Sequence, residues 1–176
     1  MDPEKKVNGI SIVTSPYNQF ENPLYSNNKI IGTYVNSIMA LHDAIERGSD
    51  EALLLDSNEN ISEGSGENLF IVKNEELITP TPDNCLNGIT LQSIIKIAQD
   101  ENIDVIEKKL KYEDLVDADE AFFTGTAVEV TPISKVDETT IGDSMIGPIT
   151  KKLQKIFTDT VTNKNKKYAH WLDPIN

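Results

Sequence analysis

Apolar positions along the chain change their spacing several times, and each change marks an element. Residues 9–14 alternate and predict a strand. Between Ile30 and Arg47, the residues Ile31, Tyr34, Val35, Ile38, Leu41 and Ile45 recur at helical spacing, and Gly48 supplies the stop. Two continuous apolar runs, 52–55 and 69–72, predict buried strands. A second helix is expected over 90–100, with Ile94, Ile95, Ile97 and Ala98 on its inner face. Strands follow at 103–106, 120–123 and 127–133, with a short helix at 112–116. A third long helix runs over 148–160, with Pro148 suited to its first turn. Asn58-Glu59-Asn60 and Asn74-Glu75-Glu76 are turn signals, and 15–28 is polar and turn-rich. Strands and helices do not alternate with a regular βαβ rhythm. The expected fold class is therefore α+β (mixed α/β), a mixed or largely antiparallel sheet with helices packed on it.

Composition narrows the function. The 176 residues suffice for one domain with a proper core, and no internal repeat is visible. A formal net charge of −13 argues against a nucleic-acid partner and against docking to an anionic membrane. The lysines between Lys164 and Lys167 read as a solvated tail. No apolar run approaches the ~20 residues of a membrane span, and the first residues lack signal-peptide character. The lone Cys85 excludes an internal disulfide, fits a cytoplasmic setting and reads as a small loop or core residue. His42 and His170 have no ligand spacing, so no metal site is expected. Arg47 is the only arginine, and it lies at a predicted helix end. Any anion held here must rely on backbone amides, hydroxyls or lysine, or on groups outside this chain.

Four places could carry chemistry. The stretch Glu63-Gly64-Ser65-Gly66-Glu67-Asn68-Leu69-Phe70 reads as a glycine-rich link between strands, with two acids either of which could face a ligand. Lys29 precedes a predicted helix whose dipole would disfavour a charged amine, as a Schiff-base lysine requires. Gly88-Ile89-Thr90 opens a helix and offers free amides to a phosphate. Thr124-Gly125-Thr126-Ala127 is a small-residue turn with two hydroxyls. Each has a plainer reading taken alone: a link glutamate, a solvated lysine, a threonine cap, a hairpin turn.

Taken together, these stretches resemble the large C-terminal domain of the class IV (fold type IV) pyridoxal-phosphate aminotransferases, above all the branched-chain amino acid aminotransferases. The resemblance is carried, in family order, by Lys29-Ile-Ile-Gly-Thr-Tyr34, Asp50-Glu-Ala-Leu-Leu-Leu-Asp56, Ser62-Glu-Gly-Ser-Gly-Glu-Asn-Leu-Phe70, Leu77-Ile-Thr-Pro80, Leu86-Asn-Gly-Ile-Thr90, 118–132 and Ile146-Gly-Pro-Ile-Thr150. It implies a pseudo-barrel sheet, with residues 1–28 ending a small domain and 29–176 forming the cofactor-binding large domain. It implies pyridoxal 5'-phosphate as cofactor, amino acids and 2-oxo acids as substrates, and a homodimer or higher homo-oligomer when full length. Lys29 would be the catalytic lysine, Tyr34 would bond the ring's phenolic oxygen, and Glu63 rather than Glu67 would pair with the ring nitrogen. Ile89, Thr90 and Thr126 would hold the phosphate, and Gly125, Thr126 and Ala127 would lie near the substrate carboxylate. Leu91 stands where the family usually has a basic residue. The family's small domain, which supplies an arginine and much of the apolar pocket, falls outside the matched stretches, so this chain is expected to build part of the site and to hold cofactor weakly. Transamination of leucine, isoleucine or valine with 2-oxoglutarate is the activity implied. D-Amino acid aminotransferase, aminodeoxychorismate lyase and a non-catalytic truncated remnant are the alternatives.

Overall fold

A computed structural model describes residues 4–20, 28–83, 85–143 and 145–173. The polar stretch 21–27, with Pro23 and Tyr25, lies outside the described residues. A short helix α1 (Lys5–Asn8) leads through Gly9, at φ +81°, into β1 (Ile10–Thr14). A 3-10 turn (Ile31–Thr33) leads into α2 (Tyr34–Glu46). Then come β2 (Glu51–Leu55), β3 (Ile61–Gly64), β4 (Asn68–Lys73), β5 (Glu76–Thr79), α3 (Ile89–Asp100), β6 (Val105–Glu107) and α4 (Tyr112–Val116). The chain continues through β7 (Glu120–Gly125), β8 (Glu129–Val136), β9 (Thr139–Thr140), α5 (Pro148–Val161) and a 3-10 segment (Lys166–Trp171).

The sheet is mixed, as expected, in the order β3-β2-β1-β8-β7-β4-β5-β6, with β9 beside β8. β1 lies parallel to both β2 and β8, β5 and β6 are parallel, and the other pairs are antiparallel. β3 and β4 stand five places apart in this order, yet only Ser65, Gly66 and Glu67 join them. Five strand spacings on a flat sheet would span about 24 Å. A link of that length reaches at most about 14 Å. The sheet must therefore curl into a half-barrel, which brings its first and sixth strands together.

Curling gives every central strand two buried faces. Ile12, Leu53, Leu69, Ile71, Ala121, Phe123 and Ile133 belong to one core, inside the curl. Alternate residues of the same strands point out: Phe70, Val72, Phe122 and Val130 pack under α3 and α5, and Val13, Ala52 and Leu54 pack under α2. Two buried faces explain why 52–55 and 69–72 are continuous apolar runs.

Two features of α2 go beyond its apolar spacing. The apolar stripe of α2 does not face the sheet. Ile31, Val35, Ile38 and Ile45 are exposed, Ile31 by 89%, while Ala40 and Ala44 are fully buried against Ala52 and Leu54. Alanine lets the helix backbone approach the strands closely, and larger side chains on that face would hold it off. Second, the helix after Lys29 opens with the 3-10 turn Ile31–Thr33 and becomes α-helical only at Tyr34. By contrast, Leu91 has a clear place: it sits buried on the inner face of α3 with Ile94 and Ile97.

The start of α5 is fixed by one acid. Glu120 accepts from the amides of Ile149 at 3.0 Å and Thr150 at 2.7 Å. It supplies a partner for two amides that the first turn leaves free. Gly147 makes room for it, since a Cβ there would stand 2.0 Å from the Glu120 carboxyl carbon. Gly147→Ala is expected to lower stability by about 1–3 kcal/mol. Gly32→Ala, with nothing within 4 Å of the new methyl, is expected to stay within about 0.5 kcal/mol. Urea unfolding of both variants checks this, and equal losses would contradict it.

Candidate active site

Glu63 is not in a link, as its sequence surroundings suggest, but in β3, opposite Leu54. Being in the ladder fixes its backbone, and the link proper is Ser65 to Glu67. The Glu63 side chain enters a pocket also lined by Lys29, Tyr34, Thr33, Gln19 and Leu86. Three of the residues singled out from the sequence, Lys29, Tyr34 and Glu63, thus meet in one cavity. The Lys29 amine lies 5.4 Å from the centre of the Tyr34 ring, within reach of a cation–π contact.

Hydrogen bonds hold Glu63 on three sides. Gln19 Nε2 donates to one oxygen. The amide of Leu86, at 3.1 Å, and Asn68 Nδ2, at 3.3 Å, donate to the other. Burial nevertheless dominates and pushes the carboxyl up to about 7, against the Leu86 amide, the Gln19 side chain and the field of Lys29. An acid held by neutral donors, with its value raised by burial, is suited to a cationic partner brought in by a ligand.

Asn68, to which the sequence alone assigns no role, ties the pocket together. It opens β4 opposite Thr124 of β7, and its Nδ2 also donates to the Leu86 carbonyl at 2.7 Å. A Cβ on Gly88 would stand 2.4 Å from Asn68 Oδ1, so glycine is required for the close approach of the 86–88 segment. A polar residue directly before an apolar run was the available signal. Gln19 had no such signal, because it lies in an irregular polar stretch.

The 86–88 segment leads into α3. Gly88 occupies the cap position, and no side chain caps the helix. The amides of Ile89 and Thr90 are among those the first turn leaves without a helical partner. Ile89 is 87% exposed and Thr90 is buried. Both residues line a groove with Phe157 and Trp171 rather than the Lys29 pocket itself, which Leu86 reaches from the same segment. On the other side, Gly125 ends β7 beside the link: a Cβ on it would lie 3.4 Å from the Gly66 carbonyl and 3.5 Å from Glu67. Thr126 and Ala127 stand exposed in the turn that follows. They are not among the residues lining the Lys29 pocket. The nearby Cys85 is buried, and burial with the fields of Glu63, Asp83 and Glu107 pushes its thiol up to about 12, which leaves it inert as a nucleophile.

The site is therefore a pocket with a lysine amine and a tyrosine at one wall, a buried acid at the other, and an uncapped helix start beside it. That donor set fits a ring that carries a basic nitrogen, a carbonyl for the amine and a phosphate for the amides.

A sequence model described as amino-transferase class IV matches residues 1–136. The branched-chain-amino-acid aminotransferase of Pseudomonas aeruginosa is 43% identical over 172 residues, covering 97% of this chain and 56% of that protein. The probable branched-chain-amino-acid aminotransferase of Aquifex aeolicus is 44% identical over 157 residues, covering 88% of this chain and 50% of its own length. The chain spans about half the length of these relatives. Among solved structures, the branched-chain amino acid aminotransferase of Thermobaculum terrenum in its PLP form superposes with a TM-score of 0.93 at 28% identity, covering 100% of this chain and 58% of the other. The branched-chain aminotransferase of Thermoproteus uzoniensis with norvaline gives 0.91 at 40% identity, covering 97% and 57%. Since the family match spans well over half of its residues, this chain belongs to the class IV aminotransferases.

Proposed function

We propose that this chain is the large domain of a pyridoxal 5'-phosphate-dependent branched-chain aminotransferase. The amino group would move from leucine, isoleucine or valine to 2-oxoglutarate. One observation carries the reading: Lys29, Tyr34 and Glu63 line a single pocket, in a fold that superposes on solved branched-chain aminotransferases. The domain division at residues 28 and 29 belongs to the proposal, with β1 contributed to the sheet from the earlier segment. So do a cytoplasmic setting and a homodimer. The exposed stripe of Ile31, Val35, Ile38 and Ile45 supports burial of that face in a larger assembly.

When bound, the cofactor supplies a ring that accepts the electron pair left at the substrate Cα. Lys29 would hold the cofactor through its amine and would move the proton at the substrate Cα. Glu63, as carboxylate, keeps the ring nitrogen protonated, and a cation there removes the burial cost that raises its own value. Tyr34 donates its hydroxyl to the ring's phenolic oxygen. The amides of Ile89 and Thr90 and the Thr126 hydroxyl would hold the phosphate, which suits a chain whose only arginine is Arg47. Gly125, Thr126 and Ala127 present backbone to the substrate carboxylate.

Mixing the chain with pyridoxal phosphate is expected to give the visible absorption band of a lysine-bound cofactor, and Lys29→Ala is expected to abolish it. A band that survives in Lys29→Ala would rule out the assigned lysine. Glu63→Gln removes a charge-assisted bond of about 1.5–3 kcal/mol. Its cofactor Kd is accordingly expected to rise roughly 10- to 100-fold, as measured by equilibrium dialysis. An unchanged Kd would contradict the pairing with the ring nitrogen. In the full-length protein, amino transfer is expected from L-leucine and not from D-alanine. Transfer from D-alanine alone would move the assignment to the D-amino acid branch of the fold.

A further inference from the structure

Glu67 has no part in the chemistry above, and its surroundings are unusual for a carboxylate. Its Oε2 accepts from the Gly66 amide at 2.9 Å. Glu51, at the start of β2 and 8% exposed, accepts from Ala52 N at 2.7 Å and from Ser65 N at 3.3 Å. Two acids thus grip successive amides of the link between β3 and β4. Holding neighbouring amides brings the two carboxyl groups close, and the nearness of Glu51 favours the protonated form of Glu67. A hydrogen bond between two carboxyl groups requires a proton on one of them.

Among the described residues, no salt bridge reaches Glu51 or Glu67. Glu51 and Glu67 line a second cavity of about 190 Å³, with Lys5, Phe123 and Val128. Lys5 is engaged there by Asp50 at 2.6 Å. From the α1 and β8 side, Lys6 is held by Glu129 at 2.7 Å. Glu67 also lines the Lys29 pocket, where Glu63 adds a further negative field and the field of Lys29 falls on Glu63. One side chain therefore divides the two cavities.

We propose that Glu67 is a positioning residue: sharing one proton with Glu51, it holds the Ser65–Glu67 link closed behind Glu63, and loss of that proton loosens the ring-binding wall of the pocket. The proposal rests on reading that pocket as the cofactor site. The link leaves β3 two residues after Glu63 and enters β4 at Asn68, so a shift in it moves both groups that line the acid wall. Burial, then the charge of Glu51, push the Glu67 carboxyl up to about 8, against the Gly66 amide. A folded-state value above the ordinary 4.5 means that the folded chain keeps a proton which the unfolded chain releases. The stabilisation is full below about pH 4.5 and is lost as the pH rises through about 8.

Thermal unfolding of the cofactor-free chain between about pH 5 and about pH 9 tests the pair. The wild-type melting midpoint is expected to fall across this window, and Glu67→Gln to remove most of the fall. The same comparison in a Glu63→Gln background takes out the titration of Glu63 itself. Equal slopes with and without Glu67→Gln would overturn the proposal. Should Glu67→Gln fail to fold, the Glu63→Gln chain gives a second reading. Its infrared carboxylic-acid band is expected to persist to about pH 8, and complete loss by about pH 6 would overturn the shared proton. Dialysis against pyridoxal phosphate then links the pair to the pocket. Release near pH 9 is expected from the wild type and retention by Glu67→Gln, and equal release from both would overturn the positioning role. No Lys29-dependent absorption band at any pH, even at saturating cofactor, would instead sink the cofactor reading, with the melting slopes still deciding the pair.

Discussion

Everything in this molecule depends on the shortness of the link between β3 and β4. Three residues cannot cross five strand places unless the sheet curls, so the connection fixes the shape of the domain. It also fixes the pocket. β3 delivers Glu63 at one end of the link, and β4 delivers Asn68 at the other, so the two side chains meet by construction. Once the sheet is curled, its strands have an inside and an outside, and helices must cover the outside. The continuous apolar runs, the helices over Phe70 and Phe122, and the close docking of α2 through alanines all follow from that closure.

Closure also decides where the free helix start of a domain with a single arginine lies. Bringing strand ends together at one rim places the 86–88 segment against Asn68, and an uncapped helix start follows that segment. The contrast with α5 is instructive. There Glu120 occupies the amides of Ile149 and Thr150. At α3 the cap position is Gly88, which has no side chain to fill the same role. Two helix starts in one fold thus differ by the presence or absence of one carboxylate.

Much of this is legible in the sequence, and the gaps have physical causes. The strands 52–55, 69–72 and 120–123 stand out because both faces are buried and the apolar runs are unbroken. Helix 112–116 and the Pro148 start are legible from local pattern and turn chemistry. The face of α2 is not, because periodicity reports that a stripe exists and not which side of the helix meets the sheet. Glu63 reads as part of a link because β3 is four residues long and carries a serine, a glutamate and a glycine. The contact of Glu51 with Glu67 joins residues from β2 and the link, and no local pattern encodes it. Lys29, Tyr34 and Glu63 become a set through the family resemblance, and the structure gathers them in one pocket. Thr126 and Ala127 stand exposed in a turn outside that pocket's lining.

Asn68 and Gly88 have a consequence for how such a site can change over time. The amide of Asn68 is committed at its nitrogen to Glu63 and Leu86, while its oxygen sits where any side chain at position 88 would have to go. Neither residue can drift alone: a bulkier group at 88 demands a retreat at 68, and a retreat at 68 abandons both the acid and the segment that precedes the helix. The two positions form one heritable unit, and across natural relatives they should change together or stay fixed.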